Sequence, residues 1–307
     1  MASGPFPSAN LANPASPVEV LDPASLSSPL VFASPHSGSY YPPDFVAASA
    51  LELATLRKSE DCYVDELFAD TPDMGAPLLR ALYPRAFLDV NRESHELDPD
   101  MFDRPLPAFV NSTSARVAAG LGTIARIVAS RREIYRTKLN FAEAERRIAG
   151  VYKPYHKTLR ELVNRARDRF GFCILVDCHS MPSTGLPVDI ESGGHAIDVV
   201  LGDRGGISCA AKVTDTVDTV LSDLGYRVTR NNPYAGGFTT QHYGDPGNGI
   251  HAIQIEINRA IYMDEVTLQR RQGFGQLKTD LNAMIRQIAG FAAEHHHHLQ
   301  YQRLSAE

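Results

Sequence analysis

The clearest periodicity in the chain is the alternation H-A-I-Q-I-E-I-N-R at 251–259. It sets Ile253, Ile255 and Ile257 on one face of a strand and Gln254, Glu256 and Asn258 on the other. A carboxylate in the middle of a strand needs a compensating site, because burying a lone charge is costly. A second strand is composed differently. Residues 172–176, between Gly171 and Asp177, are continuously apolar and β-prone, as in a strand buried on both faces of a parallel or mixed sheet. Polarity returns abruptly at Asp177, His179 and Ser180, where such a strand ends and where open α/β sheets bind their ligands. Alternation puts Asp177 and His179 on one face and Cys178 on the other.

The same patterns extend along the chain. A buried strand over 29–33 runs into S-P-H-S-G-S, where Pro35 and Gly38 set a turn that displays His36. Residues 44–56 read as a helix. Glu60, Asp61, Asp65 and Glu66 open a second, shorter one with Tyr63, Val64, Leu67 and Phe68 on its apolar face, and acids there suit the helix dipole. A strand over 86–90 leads into Asn91 and Arg92, followed by a charged, proline-bearing excursion over 93–111. His95 and Asp98 in that excursion have metal-binding chemistry but no strand or helix pattern to support it. Apolar positions three and four apart predict an amphipathic helix over 141–170, kinked or divided by Pro154, with His156 at the edge of its stripe. After a loop over 182–194 come a strand over 196–201, a helix closed by Gly225, a strand over 227–229 and an irregular, glycine-rich loop over 231–249. A final helix carries Phe274, Leu277, Leu281, Met284, Ile288 and Phe291. Strands alternating with helices predict an α/β fold. The expected organisation is a loose arm over 1–28 with an optional edge strand at 18–21, one domain over 29–293, and a hydrophilic tail over 294–307 that includes His295 to His298.

Composition narrows the function classes. The 307 residues are 43% hydrophobic and 21% charged, which is ordinary globular usage. No apolar run approaches the ~20 residues of a membrane span. A formal net charge of −6, spread without clusters, gives no electrostatic case for nucleic acid, whereas a small anionic substrate stays open. Cys62, Cys173, Cys178 and Cys209 form no C-x-x-C pair, so reduced thiols in a cytoplasmic protein are expected. The N-terminus has no secretory pattern.

His36, His179 and Glu256 fall at strand positions, with Asp61 on a following segment. Two histidines and a carboxylate leave a fourth zinc position open, the usual pattern of a catalytic site. Glu256 then suits a proton carrier, and Asp177 suits an acceptor that holds an imidazole in place. Competing motifs are missing: there is no G-x-S-x-G, H-E-x-x-H, Walker loop or G-x-G-x-x-G at a strand-to-helix turn. Cys178 and His179, on opposite faces, do not make a nucleophile pair.

The ordered set S-P-H-S-G-S-Y-Y-P-P at 34–43, S-E-D-C-Y-V-D-E-L at 59–67, L-D-V-N-R at 88–92, I-Y-R at 134–136, V-D-C-H-S at 176–180 and I-Q-I-E-I-N-R at 253–259 resembles the N-formylglutamate amidohydrolase family. The resemblance runs from about residue 30 to 290. It implies a three-layer α/β sandwich with a mixed, mostly parallel sheet, akin to the zinc carboxypeptidases and aspartoacylases. It also implies hydrolysis of N-formyl-L-glutamate to formate and glutamate in histidine breakdown. By the same resemblance His36, His179 and Asp61 are the ligands of one zinc ion, with Glu60 as the alternative acidic ligand and other divalent metals compatible. Glu256 is the general base, Asn91 and Arg92 hold a substrate carboxylate, Arg85 polarises the scissile carbonyl, and Arg136 serves either role. Ser39 stands where the zinc carboxypeptidases carry their ligand carboxylate, which is why two acidic candidates are kept. The alternatives are a carboxypeptidase-like or broader N-acyl-amino-acid hydrolase, and a non-catalytic metal- or ligand-binding protein.

Overall fold

The computed structural model describes residues 14–128, 131–184, 188–189 and 195–304. The strands are β1 (Val18–Leu21), β2 (Leu30–Ser34), β3 (Leu78–Ala81), β4 (Cys173–Met181), β5 (Val188–Asp189), β6 (His195–Ala196), β7 (Val199–Gly202), β8 (Val228–Arg230) and β9 (Ile250–Asn258). Seven of them form one sheet in the order β1-β3-β2-β4-β9-β7-β8, while β5 and β6 make a separate antiparallel pair. The pairs β2–β4, β4–β9 and β7–β8 are parallel and β7–β9 is antiparallel, so the sheet is mixed and mostly parallel among these pairs.

The chain divides into two compact units, one of residues 1–19, 35–62 and 80–158, the other of 20–34, 63–79 and 159–307. The second carries the sheet, and the boundary passes through β1 and β3. Every residue of β2 and β4 is buried, so both faces of the sheet are covered there, as the unbroken apolar run at 172–176 predicts. Ile253, Ile255 and Ile257 of β9 are wholly buried, and each contributes about 1.5–3 kcal/mol to burial. The polar set on the other face of β9 is buried too: Gln254 is 4% exposed and Glu256 8%. The helix Ala211–Asp223 packs beside the long C-terminal helix Gly273–Leu304, and Gly225 takes the positive φ of 93° that ends the former, as expected. The backbone of the C-terminal helix continues through the stretch expected to be a tail, the four histidines included.

The first unit departs more from the sequence pattern. The helix expected over 44–56 is two short ones, Pro43–Ala48 and Leu53–Leu56. Ser49 divides them: it turns extended, bridges Tyr135, and its hydroxyl donates to the Ile134 carbonyl at 3.0 Å. Residues 86–90 are not a strand. The Phe87 and Leu88 amides bond back to the Pro84 carbonyl in a turn, and the Asp89 amide bonds to Thr123. The helical stretch is divided just ahead of Pro154: Phe141–Arg147 passes into a π-helical turn, Ile148–Tyr152, where the Lys153 amide reaches back five residues to Ile148, and then into Lys153–Phe170, whose first turn holds Pro154. The π turn and the helix after it each send a side chain to the 90–92 segment: the Tyr152 hydroxyl donates to the Arg92 carbonyl and His156 Nε2 to that of Val90, both at 2.8 Å. His156 is therefore a buried anchor rather than a ligand.

Candidate active site

In the first unit the turn after β2 brings His36 against two carboxylates. Its Nε2 lies 2.7 Å from Asp89 Oδ1 and its Nδ1 lies 3.4 Å from Asp61 Oδ2. Asp61 is held beside it by backbone, since its amide donates to the His36 carbonyl and its own carbonyl accepts from the Ser37 hydroxyl. Gly38 makes the turn possible, for a Cβ there would lie 2.2 Å from the Tyr83 carbonyl oxygen. The helix after this segment, Val64–Leu67, starts only past Tyr63, so Asp61 is not in its first turn and the dipole account of this acid fails. Glu60 has other work: Arg57 donates to both its oxygens, at 2.9 and 3.2 Å, and the Cys62 thiol donates to one of them.

Asp89 is the hub of this unit. Besides His36 it accepts from Arg85 Nη2 at 2.7 Å and from the Asn91 amide at 2.9 Å, with Arg92 Nη2 3.6 Å away. Burial alone would raise its carboxyl, but Arg85, then Arg92 and His36, hold it well below the usual carboxylate range. An ionised carboxylate only accepts, so the Nε2 that faces Asp89 is a donor, and in a neutral imidazole the other nitrogen, Nδ1, on the side of Asp61, is the one able to bind a metal. The Arg92 guanidinium is 11% exposed and locked by the Leu121 and Asn91 carbonyls, to which Nε and Nη1 donate. Arg136 stands apart from this hub. It is exposed, with Nε donating to the Ser49 carbonyl at 2.8 Å.

In the second unit Asp177 and His179 share a face of β4, as alternation requires, with His179 Nε2 2.9 Å from Asp177 Oδ2. With Nε2 turned to Asp177, Nδ1 is the nitrogen that a neutral His179 could offer to a metal. Glu256 is the register partner of His179 on the neighbouring parallel strand, and its Oε1 accepts from Gln254 Nε2 at 2.8 Å. Cys178 is wholly buried, and burial followed by the neighbouring Asp177 charge pushes its thiol well up, which removes it as a nucleophile.

The chemistry of the donor set fits a divalent metal: two buried imidazoles, each oriented through Nε2 by a buried carboxylate, and one further buried carboxylate. His95 and Asp98 are engaged otherwise, His95 with Ser94 and Glu145, Asp98 with Arg126.

A family model described as N-formylglutamate amidohydrolase matches residues 28–263. The chain belongs to the N-formylglutamate amidohydrolase family. Relatives of this family include N-formylglutamate deformylases from Pseudomonas putida and Pseudomonas aeruginosa. Each is 31% identical over 240 residues, which is 77% of this chain and 82% or 83% of theirs. The crystal structure of N-formylglutamate amidohydrolase from Ralstonia eutropha JMP134 superposes with a TM-score of 0.84 at 36% identity, covering 91% of this chain and 99% of that one. The gene product Atu2144 from Agrobacterium tumefaciens shares the fold at a TM-score of 0.62 and 15% identity, over 89% of this chain and 94% of its own.

Two side chains beside the candidate residues carry no signal of their own in the sequence pattern, Asp89 against His36 and Gln254 against Glu256. Asp89 lies inside the motif L-D-V-N-R, but the family resemblance implies roles only for the Asn and Arg that follow it. Gln254 stood on the right face of β9, and nothing in the alternation told a spacer from a hydrogen-bond donor.

Proposed function

We propose that the protein is a zinc-dependent amidohydrolase that cleaves N-formyl-L-glutamate to formate and L-glutamate. The observation that carries this reading is the matched pair of oriented histidines, His36 on Asp89 and His179 on Asp177, each turned through Nε2 to a buried carboxylate. His36, Asp61 and His179 would hold the ion, a set of two imidazoles and a carboxylate. Chain connectivity supports their convergence. Ala33 of β2 pairs with Asp177 of β4 on adjacent parallel strands, and His36 and His179 follow those residues within three positions. Asp61 is favoured over Glu60 because the Glu60 carboxylate is already taken by Arg57 and Cys62.

A bound zinc ion supplies Lewis acidity for a water and for the amide carbonyl. Glu256 takes a proton from the attacking water and delivers it to the amide nitrogen as the C–N bond breaks, so that formate and a free amine leave. Arg92, fixed by two carbonyls and flanked by Asn91, binds a substrate carboxylate, for which a planar guanidinium is suited. Arg85 stabilises the charge that develops on the carbonyl oxygen, and exposed Arg136 takes the second carboxylate of the glutamate. Four buried free thiols support a reducing, cytoplasmic setting, and the family resemblance supports a place in histidine breakdown.

The test is a substrate panel. A charge-assisted hydrogen bond is worth about 1.5–3 kcal/mol, so removing one substrate carboxylate costs about ten- to a hundredfold in kcat/KM. N-formyl-L-glutamate is expected to exceed N-formyl-L-glutamine by that factor, and N-acetyl-L-aspartate and short peptides by at least as much. Equal rates across the panel would replace this reading with a broad N-acyl-amino-acid hydrolase.

A further inference from the structure

We infer that Gln254 is the positioning residue for the Glu256 carboxylate and ties it to the turn at 235–237. The inference rests on the reading of Glu256 as the proton carrier. Gln254 and Glu256 are two apart on β9 and share its buried polar face. The Gln254 amide bridges two partners: Nε2 donates to Glu256 Oε1 at 2.8 Å and Oε1 accepts from the Gly237 amide at 2.7 Å. A backbone N–H only donates and an ionised carboxylate only accepts, so this orientation is forced. One side chain therefore connects main chain to base.

The turn reaches Gln254 because β7 has no side chain at the crossing point. Gly202 is the register partner of Gln254 on the antiparallel strand, and a Cβ on it would lie 2.7 Å from the Gly236 nitrogen and 2.9 Å from the Ala235 carbonyl carbon. The turn is also tethered beside this crossing, as the Arg204 amide donates to the Ala235 carbonyl at 2.8 Å. Gly202 thus admits the turn, the turn anchors Gln254, and Gln254 holds one oxygen of Glu256. Geometry this exact on a rigid strand is what proton transfer to a bound substrate requires. A residue that merely fills space would not hold a backbone amide at one end of its side chain and a carboxylate at the other.

The experiment compares Gln254→Leu, Gly202→Ala and the double variant in the metal-loaded enzyme with N-formyl-L-glutamate, beside Glu256→Gln. Hydrogen exchange at the Gly237 amide is followed in the metal-free protein. Loss of a hydrogen bond to a charged group predicts a kcat about ten- to a hundredfold lower in each single variant, with KM within about twofold of the parent. The double variant is expected to be no worse than the weaker single one, and Gly237 is expected to exchange faster in Gln254→Leu. Should Gln254→Leu fail to fold, Gly202→Ala alone carries the test through the same split of kcat from KM. A parent-like kcat in a folded single variant, or losses that multiply in the double variant, overturns the link while leaving Glu256 as base. A fully active Glu256→Gln instead removes the base reading itself.

Discussion

Glu256→Gln is expected to lower kcat for N-formyl-L-glutamate by about 10²–10⁴-fold, the usual contribution of a general acid–base, with the fold intact. The side chain is 8% exposed and held by Gln254, and glutamine preserves its length and its ability to accept that hydrogen bond. What it loses is the capacity to take and return a proton. KM should change little, since in the proposed role the carboxylate serves the transition state rather than substrate binding. Steady-state kinetics with melting temperature as the control decide the matter. A non-catalytic binding protein on this fold predicts the opposite pattern, with no turnover by the parent and unchanged ligand affinity in the variant.

The second large effect concerns Asp89. Asp89→Ala removes the shared acceptor of His36, Arg85 and the Asn91 amide, and leaves the largely buried Arg92 beside it without its nearest carboxylate. Breaking a buried charge pair from one side costs about 3–5 kcal/mol, because the partner stays buried. Urea unfolding should show that loss as a lower midpoint at an unchanged slope. His36 would also lose the partner that sets its tautomer, and loss of such a partner costs about 10- to 100-fold in metal affinity. Asp89→Asn keeps an acceptor oxygen and should fall between the parent and Asp89→Ala in both measurements. A parent-like zinc affinity in a folded Asp89→Ala would dissociate His36 from metal binding.

Local pattern revealed the parts of this protein that local pattern controls. The apolar run at 172–176 and the isoleucine alternation at 253–257 are β4 and β9, and Asp177 and His179 share a face because a strand has period two. The polarity break after β2 likewise marks His36. Where distant segments decide, the pattern failed. Ser49 breaks a helix because the 134–135 segment pairs with it, and the 86–90 strand is lost to a turn closed by Pro84. The helix Phe238–Tyr243 sits inside a stretch whose glycines read as loop. Pro154 marks where the helix divides, but the form of the division, a π turn that shifts the hydrogen-bond register ahead of the proline, is an adjustment no propensity scale encodes. Asp89 is the clearest case. Its importance lies in four partners spread over residues 36 to 92, and sequence shows a residue type without its neighbours.

The most direct test of the central claim is formate release from N-formyl-L-glutamate by enzyme stripped with a chelator and then titrated with zinc, run beside His179→Ala. No turnover is expected without metal, recovery should saturate near one zinc per chain, and the variant should recover little at the same zinc concentration. Full activity of the stripped enzyme, or equal zinc-dependent recovery in His179→Ala, would contradict it.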